Sequence, residues 1–137
     1  MFFVQVVMVS LVCGLATWLI NHRLQKGPVL ASAIVALVAG LVFPHIFAEG
    51  STLAAVAACA SYVGMSAKAR LRGPVEAAIA LGIAAALFVV TVDVFVGVGG
   101  KLGTIAAIAA MTVWAWGQVL PEPSTVGRLV KVYTRML

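Results

Sequence analysis

The sequence predicts an all-α integral membrane protein with five transmembrane helices, and three observations support this class. Charged residues make up only 9% of the chain, whereas a soluble domain carries about 25%. The chain is divided into apolar runs long enough to cross roughly 30 Å of hydrocarbon. Its basic residues form short clusters between those runs, so the net charge of +5 describes membrane topology and provides no nucleic-acid surface.

The first two helices are predicted over residues 2–20 and 29–47. The second begins after Gly27-Pro28, because proline is tolerated at the first helical position, where its missing N–H would be unpaired anyway. Pro44 lies near the far end of this helix and removes one helical hydrogen bond. We therefore expect a kink or an early end there.

The third helix, predicted over residues 53–67, has two interpretations. Its length is near the lower limit for crossing a bilayer. It either crosses, with Lys68 and Arg70 extending to the lipid headgroups, or forms a re-entrant segment. We favour the crossing, because a re-entrant segment would place the later basic clusters on the wrong side of the membrane.

The fourth and fifth helices are predicted over residues 75–98 and 104–120. Glu76 and Asp93 are the charged residues of the fourth apolar run. The tail, residues 124–137, has apolar residues on one helical face and basic residues on the other, which is typical of an amphipathic helix on a membrane surface. These segments belong to a single membrane domain that includes the whole chain.

The basic residues also predict the orientation. All lysines and arginines except Lys101 follow the first helix, follow the third helix or lie in the tail. The positive-inside rule places these segments in the cytoplasm and the N-terminus outside. The predicted location is therefore the plasma (inner) membrane, crossed several times.

The second and third helices resemble the fourth and fifth, which suggests two tandem hairpins after one leading helix. Gly-Pro-Val occurs at 27–29 and again at 73–75, and the alanine-rich run 52–58 resembles 104–110. Two such hairpins would form a parallel repeat about an axis along the membrane normal. Generic packing of alanine-rich helices is the simpler alternative. The seam between the hairpins is predicted to contain Ala36, Gly40, Ala78, Gly82, Ala86, Ala106 and Ala110.

Asp93 is the first candidate for function, because a carboxylate in an apolar span usually faces a bundle interior or a water path. His45 lies at the matching depth of the other hairpin, and its charge changes near neutral pH. Gly99, Gly100 and Lys101 belong to a glycine-rich turn with accessible backbone groups that suit an ion. We predict an ion or proton site near the outer mouth from these five residues. The alternatives are an Asp93 that only reaches the interface and a turn that only connects helices.

The residues suggest no catalysis and no metal site. Cys13 and Cys59 lie in separate apolar runs, with neither a CxxC pair nor a Cys/His cluster of zinc-binding spacing. No nucleophile and base, and no paired carboxylates, occur at a useful spacing. We therefore predict no cofactor, no metal and no enzymatic activity.

Two functions fit these features. The first is a transporter or channel protomer for a small ion or solute, with its site near the outer mouth. The alternative is a non-transporting subunit, an anchor or assembly partner of a larger complex, with its small-residue faces as docking surfaces. The expected partners are the lipid bilayer and either further copies of the chain or a larger membrane complex. Nucleic acid is not expected.

Overall fold

The computed structural model describes residues 2–94, 96–97 and 100–119. This part of the chain is all-helical, as predicted. The predicted amphipathic tail, residues 124–137, lies outside the described residues. The five described helices are α1 (Phe2–His22), α2 (Pro28–Ile46), α3 (Gly50–Gly64), α4 (Pro74–Val90) and α5 (Lys101–Val119).

Three of these helices, α1, α2 and α5, are long and apolar enough to cross a membrane. The other two are shorter apolar helices, with 15 residues in α3 and 17 in α4. At about 1.5 Å per residue, a helix of 15 residues extends roughly 22 Å, less than the roughly 30 Å of a hydrocarbon core. Membrane helices are thus supported by length and composition, and a five-span topology stays a prediction.

Helix α3 lies at the centre of the bundle. It packs against each of the other four helices, and these follow one another around it in the order α2, α1, α4, α5. The two outermost helices of that arc, α2 and α5, do not touch along their described lengths. The described helices therefore leave one side of α3 uncovered, and we call it the open side.

The two predicted hairpins do not occupy equivalent positions. A symmetry axis relating the hairpins would replace α2 by α4 and α3 by α5. The observed contact between α3 and α4 would then require a contact between α5 and α2, which is absent between the described helices. Helix α5 contacts only α3 and α4, whereas its predicted counterpart α3 contacts four helices. The predicted repeat is therefore not confirmed.

Small residues bring α1, α3 and α4 close together. A Cβ atom added at Gly64 would lie 2.6 Å from the carbonyl oxygen of Gly14, and one added at Gly14 would overlap the Leu81 side chain. Glycine at these positions lets the helix backbones approach, as is usual in membrane bundles. The predicted seam differs: Ala106 and Ala110 are buried, but the small residues predicted on α2 and α4 lie on partly or fully exposed faces.

The helices alternate in direction, so the bundle has two ends. At one end Asn21 Nδ2 donates to the Gly64 carbonyl at 3.5 Å, and His22 Nε2 lies 3.0 Å from the Ser66 carbonyl oxygen. We call this the basic end, because it carries five exposed basic residues. They are Arg23, Lys26, Lys68, Arg70 and Arg72. The opposite end, with the connections 47–49 and 91–100, is called the glycine end.

Helix α4 ends at Val90 rather than at the predicted residue 98. The Thr91 hydroxyl donates to the Leu87 carbonyl at 2.7 Å, and the chain then turns. The Lys101 amine donates to the Thr91 and Val92 carbonyls just beyond the helix end, and the Thr91 carbonyl also accepts the Val94 N–H at 3.0 Å. A cation at a helix C-terminus is also favoured by the helix dipole. The predicted boundary was wrong because this cap comes from a residue of the next helix.

Candidate functional site

The structure does not bring Asp93 and His45 together. Asp93 lies in the turn after α4, His45 lies in the last turn of α2, and both side chains are exposed. Helices α2 and α4 make no contact. Within the described residues no hydrogen bond or ion pair joins the two side chains. The two candidates therefore stand apart at the glycine end.

Lys101 begins α5, and its side chain folds back onto the end of α4. Its amine donates to the Thr91 carbonyl and, at 3.2 Å, to the Val92 carbonyl. Nζ also lies 5.9 Å from the centre of the Phe88 ring. An ammonium group has three donors, so two carbonyl acceptors leave one donor for a further partner.

The two described glycines that precede α5 have backbone conformations that favour glycine. Gly97 and Gly100 have φ angles of 78° and 91°, which side chains with a Cβ disfavour. The Gly100 carbonyl accepts hydrogen bonds from the backbone N–H and the hydroxyl of Thr104, at 2.9 and 3.0 Å. Gly100 therefore immediately precedes α5, and its carbonyl accepts the first helical hydrogen bond. The candidate Gly99 lies outside the described residues.

A cavity of about 350 Å³ opens beside Lys101, between α3, α4 and α5. Its polar side chains are Ser51 and Thr52 from the first turn of α3 and Lys101 from the first turn of α5. No hydrogen bond within the described chain uses either hydroxyl group. None of the described lining residues is acidic. The other lining residues are Ala55, Phe88, Val92, Val96, Gly97 and Leu102.

This arrangement favours a small anion or a polar neutral molecule over a metal cation. An ammonium repels cations, whereas hydroxyl groups both donate and accept hydrogen bonds. In the described part of the chain, no group of three or more His, Cys, Asp or Glu side chains is placed to hold a metal ion. The sequence analysis missed Ser51 and Thr52. The predicted topology places these two residues and Lys101 at the same outer end of the bundle, and this shared position could have identified them as site candidates.

The interior of the described bundle is mainly apolar. Four polar residues are buried in the described chain, Ser10, Thr17, Ser32 and Ser61, and no charged residue is. Each buried hydroxyl has a hydrogen-bond partner. The indole N–H of Trp18 is buried without an acceptor. The described chain therefore contains no charged path along its interior.

Comparison with known proteins finds no match to this chain, whether with protein families, with curated proteins or with solved structures. The geometry of the chain's own residues is therefore the basis for assigning a function.

Proposed function

We propose that this protein is a protomer of a membrane transporter or channel that takes up a small anion or polar neutral solute at the glycine end. The observation that carries the proposal is the cavity of about 350 Å³ beside Lys101. It combines one ammonium with two hydroxyl groups that have no partner in the described chain. Polar groups converging in an otherwise apolar pocket are typical of a small-molecule site.

The proposed topology has five spans with the basic end in the cytoplasm. Exposed lysines and arginines of the described chain concentrate at that end, as the positive-inside rule requires of cytoplasmic loops. Lys101, at the other end, is bonded to the end of α4. Helix α3 packs against four helices on all but its open side, so its length need not match the bilayer. The proposed location is the plasma membrane.

The uncharged interior of the described chain favours one alternative, a non-transporting subunit of a larger membrane complex. No buried charged group lines a route through the described chain, and polar or ionisable groups usually mark such routes. If the protein does transport, its path therefore runs between protomers of an oligomer. The two functions make opposite predictions about solute flux.

Uptake into proteoliposomes distinguishes them. The purified protein is reconstituted and offered small inorganic anions, small carboxylates, neutral polar solutes and alkali cations. We expect uptake of one of the anionic or neutral solutes. The double variant Ser51→Ala/Thr52→Val should reduce that uptake about thirtyfold, since each of the two lost hydrogen bonds weakens binding by about 1 kcal/mol. Neither hydroxyl caps α3, so the fold should be unaffected.

The matched control is Asp93→Asn. Asp93 is exposed and follows the lining residue Val92 in sequence, but it does not line the cavity itself. We expect it to retain uptake. Loss of uptake in Asp93→Asn with full activity in Ser51→Ala/Thr52→Val would show that the carboxylate, and not the cavity, is the site. Uptake no faster than in protein-free vesicles for every solute would contradict transport. A stoichiometric partner in native purification would then support the non-transporting subunit.

A further inference from the structure

A second cavity, about 220 Å³, lies between α3 and α5 toward the basic end. No residue of α4 lines it, and α2 does not reach α5, so it lies on the open side of α3. Glycine and alanine form its floor along α5, which leaves an apolar furrow about two turns long. These floor residues are Gly103, Ala106, Ala107 and Ala110.

Arg70 lies at one end of the furrow. Its Nη1 donates to the thioether sulfur of Met111 at 2.9 Å. A thioether is a weak acceptor, whereas a guanidinium has five donors. The positively charged guanidinium of Arg70 therefore lies against α5, and most of its N–H donors are available to a ligand. The Arg70 side chain is exposed, so it can also turn toward water.

Polar side chains of the α3 side also line the furrow. Ser66 and Tyr62 of the α3 side line the cavity with Arg70, and 44% of Tyr62 is exposed. Tyrosine is common at membrane interfaces because its ring is apolar and its hydroxyl is polar. Lys68, two residues before Arg70, is also exposed. A cationic, hydroxyl-bearing rim thus adjoins a purely apolar floor.

We propose that this furrow binds one anionic phospholipid, with an acyl chain along the floor and the phosphate on Arg70. The combination of a basic rim with a membrane-facing groove matches an anionic lipid in charge as well as in polarity. The planar guanidinium bonds two phosphate oxygens at once. The furrow shares no lining residue with the cavity at the glycine end, so the proposal is independent of transport.

The test measures lipid retention by native mass spectrometry of the full chain in detergent. Phosphatidylglycerol and phosphatidylcholine with identical acyl chains are added separately. We expect one phosphatidylglycerol to be retained in preference to phosphatidylcholine. Arg70→Gln should weaken that retention about tenfold, because it removes charge-assisted bonds to the phosphate. Ala107→Leu, at an exposed position of the floor, should also weaken it while leaving all charges in place.

Arg23→Gln is the matched control, since it removes one exposed charge from the basic end outside the furrow. It should retain lipid as the unmodified chain does. Equal retention of both lipids, or equal losses in Arg70→Gln and Arg23→Gln, would overturn the proposal in favour of general surface charge. A dimer that Ala107→Leu dissociates would overturn it in favour of a second copy in the furrow.

Discussion

Helices α2 and α3 are consecutive in the chain, yet α2 is mostly exposed and α3 is mostly buried. Helix α2 is the most apolar of the three helices of membrane-crossing length, and only Ala31, Ser32 and Ala39 of it are buried. Helix α3 is the least apolar of the five described helices, and most of its residues are buried. Apolarity therefore does not determine which helix is central in this bundle.

Membrane energetics account for the difference. Lipid tails are as apolar as leucine, so large aliphatic side chains gain little by leaving lipid for protein. Close backbone approach and interhelical hydrogen bonds decide the packing instead. Helix α3 offers both, because Gly64 lies against α1 and Ser61 bonds to Ser32 of α2 at 2.8 Å. Helix α2 presents mainly aliphatic side chains, including Leu37 and Leu41, which are each 63% exposed.

The largest effect is expected from a substitution at the glycine of α3 that lies closest to α1. In Gly64→Ala the new methyl would lie 2.6 Å from the Gly14 carbonyl oxygen and 2.7 Å from Thr17 Cβ, so α1 and α3 must move apart. We expect a loss of about 2 kcal/mol in the free energy of unfolding, measured by denaturation with sodium dodecyl sulfate in mixed micelles.

The control for that change is Gly40→Ala in α2. Apart from its chain neighbours and the backbone of its own helix, no described atom lies within 4 Å of a Cβ added at Gly40, and alanine is a better helix former than glycine by roughly 1 kcal/mol. We expect unchanged or slightly higher stability. Equal losses at the two glycines would mean that α2 is as closely packed as α3.

A smaller effect is expected from the hydrogen bond that joins the two helices. The Ser61 hydroxyl donates to the Ala58 carbonyl at 2.7 Å, so Ser32 is the donor in the bond between the two serines. Ser32→Ala should cost about 0.6 kcal/mol, the average for such bonds in membrane proteins. The same denaturation measures this loss in the free energy of unfolding. A loss above about 2 kcal/mol would show that the bond contributes more than usual to the packing of α2 against α3.

The smallest effect is expected on the outer face of α2. Leu41→Ala removes an exposed aliphatic side chain that faces lipid or a partner, so the monomer should lose less than about 0.5 kcal/mol. Stability is compared in detergent at two protein concentrations. A large, concentration-dependent loss would show that protein, and not lipid, covers α2.

The sequence predicted the helices better than it predicted their neighbours. Gly-Pro pairs before α2 and α4 lie where those helices begin, because the preference of proline for a first turn is local. The end of α4 was misplaced, since its cap is the distant Lys101. The ion or proton site stays a prediction: Lys101 lines a cavity at the glycine end together with Ser51 and Thr52, whereas Asp93 and His45 do not line it.

The sequence by itself determined the class of this protein, because apolar length and scarcity of charge are properties of composition. Only the tertiary structure decided which faces are buried. In alanine-rich helices every face is small and apolar, so the pattern along one helix does not select a partner. That selection comes from contacts between distant residues, such as Gly14 with Gly64 and Ser10 with the Leu81 carbonyl.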